Sequence, residues 1–408
     1  MLTPDYIAQA TDKAEAIAEA MHNATIKKIA RAIVTRLGRG DDYILTAKDK
    51  YMINALQDSG ELLKDIQAEL TRLTPVLDSE MAEAFRDAGI EAYKYNKKVY
   101  KSVGIDNGKF KESPRAIRAL QRNYEATEGS LDNYTKTTAR EAGTAYTREM
   151  NKTMTMVQSG AVGLNEAVKD AVLDIASEGI TAIHYDTGRV DTLEVAVTRA
   201  LRTGISQGTA QMQLERMKEM GCDLVITSAH LGARPTHEEW QGQVFHVDWA
   251  TMDITAQHKS DEEIPTPKTT STKYPDFVQS TRYGWVDGLC GANCRHHFSP
   301  YFEGMHNPFP QYDSKENLER YEKEQRQRLL ERRIRKTNRE VEALKEAVDA
   351  CQDDSMKKTL TDALTAKKKR LTAQRKDYKE YCKENGLKEQ YERLKVIAEN
   401  RAKNKAIA

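Results

Sequence analysis

Two short loops hold most of the side chains in this sequence that could do chemistry. The first, Leu231-Gly232-Ala233-Arg234-Pro235, must be a loop because glycine and proline flank its single charged residue, and His230 and His237 stand at its two ends. The second is Gly-rich and carries Cys290, Cys294, His296 and His297. Thiolate and imidazole are the donors zinc prefers in a tetrahedron, and two loops giving two ligands each is a usual arrangement. His237 and Cys294 are the first candidates for ligands, His230 and His296 the next, and structural zinc is the candidate cofactor. The spacing departs from that of known zinc fingers. Cys290 and Cys294 form a permitted Cys-x3-Cys pair, yet no second Cys pair or His-x3–5-His pair follows downstream. The plainer alternative is that these residues pack and hydrogen-bond in a loop-rich fold, with Arg234 bracing carbonyls.

A catalytic alternative uses the same loops. Asn293-Cys294-Arg295-His296-His297-Phe298 before Pro300 offers histidines that could activate a water beside a divalent metal, as in the histidine-metal nucleases. Such a site also needs an acidic or amide ligand and a second histidine on a following helix. Residues Tyr301 to Pro308 break helix rather than make one. The sequence has no Gly-rich phosphate loop, His-Glu-x-x-His pair or Gly-x-Ser-x-Gly element. Asp223, Asp248, Glu238 and Glu239 read as surface charges rather than paired catalytic carboxylates. Trp240 and Trp285 read as core, whereas Trp249, in Val247-Asp248-Trp249-Ala250, is the candidate exposed anchor for a partner.

The elements that must position these loops follow from periodicity and punctuation. Between Gly221 and Gln311 lie all three tryptophans, five of seven phenylalanines, seven of nine histidines and three of five cysteines. Asp223–Ser228 is a β-branched strand candidate, Thr236 with Glu239 forms a capping box that starts a short helix at His237, and Asp261–Asp276 is a solvent-facing insertion with three prolines. The first 220 residues are mostly helical. Thr3-Pro4-Asp5 caps a helix whose apolar stripe runs Ile7, Ala10, Ala14, Ile17, Met21, Ile26, Ile29, Ile33, Leu37 and stops at Gly38-Arg39-Gly40. A second stripe, Leu56, Leu62, Leu63, Ile66, Leu70, Leu73, is expected to break at Thr74-Pro75. Further interruptions fall at Gly104, Gly108, Ser113-Pro114 and Gly160/Gly163, and Thr192–Met220 is one long helix or two short ones bent near Gly204 and Gly208.

After Ser314 the chain is helical and highly charged. Ile334, Val341 and Val348 are seven apart, as are Leu364, Leu371 and Tyr378, and Gln352–Ser355 separates the two runs, which predicts a helical hairpin or coiled-coil-like tail. Residues 314–408 hold 27 Lys/Arg against 18 Asp/Glu, a net +9, so residues 1–313 carry −8. An acidic body with a basic tail suggests that the tail meets something negative. The cations concentrate at Arg332, Arg333, Arg335 and Lys336 and at Lys367, Lys368, Lys369 and Arg370, expected side by side across the hairpin as a nucleic-acid or partner contact. The alternative is a solvated face whose charges pair locally. Five scattered cysteines fit a reducing compartment better than a disulfide framework. No segment approaches the roughly 20 apolar residues of a membrane span, and the N-terminus lacks the apolar region of a signal peptide.

The fold class is therefore mainly α with a small α+β domain. The compositional divisions are a helical region over 1–125, a helical connector over 126–220, a compact His/Cys/Trp-rich domain over 221–312 and a charged helical tail over 313–408.

The segments Gly221–Gly242 (GCDLVITSAHLGARPTHEEWQG) and Tyr283–Gly304 (YGWVDGLCGANCRHHFSPYFEG) closely resemble the phage minor capsid protein 2 family, itself similar to the Mu F-like head morphogenesis proteins. The shared positions are Arg234, His237, Trp240, Gln241 and Gly242, then Gly291, Asn293, Cys294, Arg295 and His296. Where the Mu F-like proteins carry a second cysteine, this chain has His296. The resemblance spans about residues 192–304, fits the helical N-terminal half, and leaves the tail outside. It implies a structural, non-enzymatic minor head protein of a tailed bacteriophage, oligomeric in the virion, assembled in the host cytoplasm and acting at or near the portal or in the head interior. Its implied partners are the portal and other capsid proteins, with packaged DNA reached through the basic tail and no membrane. The alternative function is a phage-encoded metal-dependent nuclease or hydrolase.

Overall fold

The computed structural model describes residues 2–38, 48–106, 108–109, 112–186, 188–259, 261–269, 271 and 273–394, and of residues 48–58, 392 and 393 the backbone alone. Arg39, Gly40 and the side chain of Leu56 thus lie outside the described residues. Helices dominate: α1 (Pro4–Leu37), α2 (Lys48–Ser102), α3 (Pro114–Gln158), α4 (Leu164–Glu178) and α5 (Leu193–Glu219) precede a short-stranded region, and α8 (Ser314–Ala350) and α9 (Asp354–Glu384) follow it. The fold is mainly α with a small α+β part.

The α1 stripe behaves as its spacing requires, with Ile7, Ala14, Ile17, Met21, Ile26, Ile29, Ile33 and Leu37 all buried. The break expected at Thr74-Pro75 does not occur: α2 runs straight through Pro75. A proline inside a helix forfeits one backbone hydrogen bond and costs about 3 kcal/mol. Here the buried stripe continues on both sides of it, through Ile66, Leu70, Leu73, Leu77, Met81 and Phe85, and Thr74 Oγ1 donates to the Leu70 carbonyl at 2.8 Å. Burial of that many apolar side chains outweighs one defect. Likewise α5 is one helix, and its glycines serve close packing. A Cβ at Gly204 would collide with Thr127 Oγ1 and lie 3.0 Å from Phe85, and one at Gly208 would lie 3.0 Å from Asn123.

The chain forms two compact units that cut across the compositional divisions, each assembled from three stretches because the long helices contribute to both. The first comprises residues 1–13, 78–131 and 198–324. It contains β3 (Leu224–Thr227), α6 (Pro235–Glu238), β4 (Val244–His246), α7 (Phe277–Thr281) and β5 (Phe298–Tyr301). These strands make an antiparallel sheet in the order β4-β3-β5, with Val225 opposite Phe245 on one side and Pro300 on the other. Proline is tolerated in β5 because that strand is at the edge. All four residues of β3 are buried, and its core gathers Tyr100, Leu214, Met217, Trp240, Phe245, Phe277, Tyr283 and Phe298. Gln213 ties α5 to β5, donating to the Phe298 carbonyl at 2.6 Å while accepting from Asn96 at 3.0 Å.

The second unit comprises residues 14–77, 132–197 and 325–408. It holds α4, the two-stranded antiparallel pair β1 (Thr181–His184) and β2 (Val190–Thr192), and most of the α8–α9 hairpin. The hairpin turns at Cys351–Asp353, with Asp353 capping α9 through Met356 N at 2.7 Å. Ile334, Val341, Leu344, Leu360, Leu364, Leu371 and Tyr378 are buried along it, whereas Val348, the heptad position nearest the turn, is half-buried.

Candidate metal centre

The two motif loops converge in the first unit. The first leaves β3, turns at Gly232 (φ +81°) and enters α6 with Pro235 at its first position. That helix begins two residues earlier than the capping box would start it. Arg234, not Thr236, is the residue before the helix, because proline's fixed φ suits the first helical position and supplies no N–H that needs a cap. The second loop is a series of tight turns: Ala292 N donates to the Val286 carbonyl at 2.7 Å and Cys294 N to the Gly291 carbonyl at 3.1 Å. A Cβ at Gly291 would lie 2.5–2.6 Å from the Val286 and Trp285 carbonyl oxygens, so only glycine fits there. Cys290 (φ 61°) and Asn293 (φ 58°) adopt left-handed conformations that non-glycine residues reach at some cost, and these bends turn Cys294 toward the first loop.

Within this frame His237, Cys294 and His296 bring one donor atom each to within 4.8 Å of one another. Cys294 Sγ lies 3.7 Å from His237 Nδ1 and 3.9 Å from His296 Nδ1. Each imidazole is held from behind. His237 Nε2 faces the Asp287 carbonyl at 2.8 Å, and His296 Nε2 faces Gln241 Oε1 at 3.3 Å. Both partners are acceptors, so both Nε2 atoms carry the proton and both Nδ1 lone pairs point to the sulfur. Trp240 closes the site, its ring 4.6 Å from that of His237 and 4.8 Å from that of His296. Gly242, at φ +68°, turns the chain away after Gln241.

His230 is placed differently. Its ring stacks on His296 at 4.2 Å, and its Nδ1 faces the Leu231 carbonyl at 3.3 Å. Its buried Nε2 has no hydrogen-bond partner, and the ring is not one of the converging donors. Of the four sequence candidates, three share a focus and the fourth packs against it.

Burial sets the protonation states. It pushes His230 and His237 each down to about 4 and His296 well below its usual value, so the imidazoles are neutral at pH 7. Burial likewise raises the Cys294 thiol, opposed in part by the nearby Arg234 and Arg295 charges. His297 is not among the converging donors; its ring is buried and held down to about 4 by desolvation, and its backbone N–H donates to Ser228 Oγ at 3.0 Å.

The carboxylates are engaged outside this focus. Asp248 is buried rather than at the surface, accepting from the backbone N–H groups of Ala250, Lys268 and Thr269 and from the Thr251 hydroxyl. Those bonds hold its pKa well below the usual range against the opposing effect of burial, and they pin the 261–276 insertion. Glu238 accepts from Asn317 at 3.1 Å, and Asp223 lies 3.7 Å from His246. After β5 no helix begins before Ser314, so the following-helix histidine that a nuclease site needs has no counterpart here among the described residues. Trp249 is half-buried against the unit's core, with Lys218 Nζ 5.8 Å from its ring, rather than free-standing.

One residue escaped sequence reasoning. Asn317, fully buried in the first turn of α8, accepts from Gly232 N at 2.8 Å and Ala233 N at 2.9 Å and donates to the Ala233 carbonyl at 3.0 Å. It therefore satisfies buried backbone groups of the first motif loop. Its only sequence signal is an amide in a turn otherwise rich in charge.

A family model described as phage minor capsid protein 2 matches residues 2–383. The chain belongs to the phage minor capsid protein 2 family. The match takes in the helical N-terminal half and nearly all of the tail hairpin, which the motif resemblance alone had left outside. A "Structural protein" of Lactococcus phage LL-H is 25% identical to this minor capsid protein over 302 residues, covering 70% of this chain and 75% of the relative. No solved structure matches it. The chain is thus a structural protein of a phage capsid. Among its described residues, no helix is long and apolar enough to cross a membrane.

Proposed function

We propose that this chain acts in head morphogenesis at or near the portal or in the head interior, with the exposed face of its tail hairpin turned toward packaged DNA. Family membership supports the head, and the hairpin's cations support the inward orientation. Arg332, Arg333 and Lys336 on α8 and Lys368, Lys369 and Arg370 on α9 are exposed. Two of the eight expected cations are otherwise placed: Lys367 pairs with Glu340 at 2.6 Å, and Arg335 is half-buried. The two clusters are also staggered rather than level. Lys367 meets Glu340, Arg375 meets Asn338 and Tyr378 meets Glu331, which sets Lys368–Arg370 nearer the residues that follow the first cluster. Six cations along one hairpin still make a strip on which a phosphate backbone can lie.

Quantitative mass spectrometry of purified virions and of DNA-free procapsids tests the placement, combined with surface biotinylation of intact particles. The chain should be present at few copies per head and resist labelling until the particle is opened. Ready labelling of intact heads would put it on the outer surface and overturn the proposal.

A further inference from the structure

We propose that His237 Nδ1, Cys294 Sγ and His296 Nδ1 bind one zinc ion that staples the two motif loops of this minor capsid protein together. The observation that carries the proposal is the direction of the lone pairs. Two imidazoles, each with its Nε2–H already spent on an acceptor behind it, aim unprotonated nitrogens at one sulfur. A single thiol proton can satisfy only one of them, so without a cation one buried acceptor is left unmatched. A zinc ion satisfies both and takes the thiolate as well, the thiol proton passing to solvent as the metal binds.

The distances fit with small adjustments. Zinc–sulfur and zinc–nitrogen bonds of about 2.3 and 2.0–2.1 Å in a tetrahedron put sulfur and nitrogen about 3.5 Å apart. The two sulfur–nitrogen separations here are 3.7 and 3.9 Å, a few tenths of an ångström from that value, while the two nitrogens, within 4.8 Å of each other, would close to about 3.3 Å as the rings swing onto the ion. The surroundings are those of a ligand sphere. A backbone carbonyl and an amide oxygen hold the two imidazoles in the required tautomer, the usual support for metal-bound histidine. Arg234 and Arg295 bring positive charge that favours the thiolate. His230 is not a fourth ligand in this arrangement, since its ring is stacked face to face on His296. A solvent molecule takes the fourth position. Nitrogen and sulfur donors without a carboxylate select zinc over magnesium or calcium.

The test uses the full chain produced with zinc in the medium. Elemental analysis after exhaustive dialysis should find about one zinc per chain. Replacement by Co(II) should give a thiolate-to-cobalt charge-transfer band and the visible bands of a tetrahedral site. Cys294→Ser should abolish the charge-transfer band and lower zinc occupancy at least tenfold, as should His237→Gln and His296→Gln, while His230→Gln retains the metal. A wild-type chain that takes up no zinc, or shows no charge-transfer band on cobalt addition, overturns the proposal even if the ligand variants fold poorly. Full zinc occupancy in a folded Cys294→Ser variant also overturns it.

Discussion

Arg234 and Arg295 clasp each other's loops. Arg234, in the first motif loop, donates through Nη2 to the Ala292 carbonyl of the second at 2.9 Å. Arg295, in the second, donates through Nη2 to the Gly232 carbonyl of the first, also at 2.9 Å. Glu324 on α8 steadies Arg295 at 3.1 Å. Two charge-assisted bonds running in opposite directions fix both the separation and the register of loops that have little sheet structure of their own. The pair explains why a guanidinium stands in each motif: a planar fork with several donors reaches a carbonyl while still facing solvent or a carboxylate.

Removing either arm should therefore loosen the motif. Arg234→Ala and Arg295→Ala are each expected to cost about 1–3 kcal/mol, since a hydrogen bond from a charged donor contributes about that much. Their double mutant should cost less than the sum, with a coupling of at least about 0.5 kcal/mol. Urea denaturation of the four proteins measures this. Strict additivity would show that the two bonds act independently and that the clasp is no unit.

Two helical glycines should respond to alanine with opposite signs. Gly129 in α3 has open space where a Cβ would stand, so Gly129→Ala is expected to stabilise by about 0.5–1 kcal/mol through helix propensity. Gly204 in α5 has Thr127 and Phe85 there, so Gly204→Ala should destabilise by about 1–3 kcal/mol through overpacking. Thermal unfolding of both variants decides it, and a stabilising Gly204→Ala would refute the packing role assigned to that glycine.

The second unit should show a pH dependence of its own. Burial raises Glu19 from 4.5 to about 8, with the Glu194 and Glu15 carboxylates adding to the rise and Arg335 and Arg339 opposing it. Glu194 is itself kept ionised: although burial disfavours its charge, His22 Nδ1 lies 2.7 Å away and Arg339 at 3.4 Å, and together they hold its pKa well below the usual range. His22 accepts from Ile180 N through Nε2 at 2.8 Å, leaving the Nδ1 proton for Glu194. The folded state thus binds a proton at Glu19 that the unfolded chain has lost by neutral pH. That contribution is complete below about pH 4.5 and disappears as pH rises through about 8. Glu19→Gln should flatten the decline between these limits by up to about 5 kcal/mol. Parallel stability curves for the two proteins across that window would contradict the half-buried, protonated carboxyl.

The tail hairpin should bind duplex DNA in a salt-dependent way. The six exposed cations of its two clusters allow a slope of log K against log salt of up to roughly −5, at about −0.9 for each phosphate neutralised. Lys368→Glu with Lys369→Glu and Arg370→Glu, made in the full chain, should lower the magnitude of that slope by about 2–3. Fluorescence anisotropy with a labelled duplex over a salt series reads it directly. An unchanged slope in the triple variant would assign the hairpin to protein contacts or solubility.

Much of this protein was legible in its order of residues. Apolar spacing in α1, the glycine and proline interruptions around 104–114 and 160–163, the β-branched run of β3 and the heptads of the hairpin are local signals, and local backbone preference decides them. The motif residues were visible as well, through their resemblance to a known family and their dense histidine, cysteine and aromatic content. What tertiary structure alone decided was which of two locally acceptable outcomes prevailed. Pro75 continues a helix because its neighbours are buried on both sides, Gly204 is a packing contact because α3 lies against it, and Asp248 is an internal cap because the insertion folds back over it. The same holds at the site. Sequence offered four ligands without direction, whereas the acceptors behind His237 and His296 come from Asp287 and Gln241, and the loop's backbone is satisfied by Asn317, 84–85 residues along the chain. Lone-pair direction depends on what stands behind each ring, and only the folded chain brings those distant groups into place.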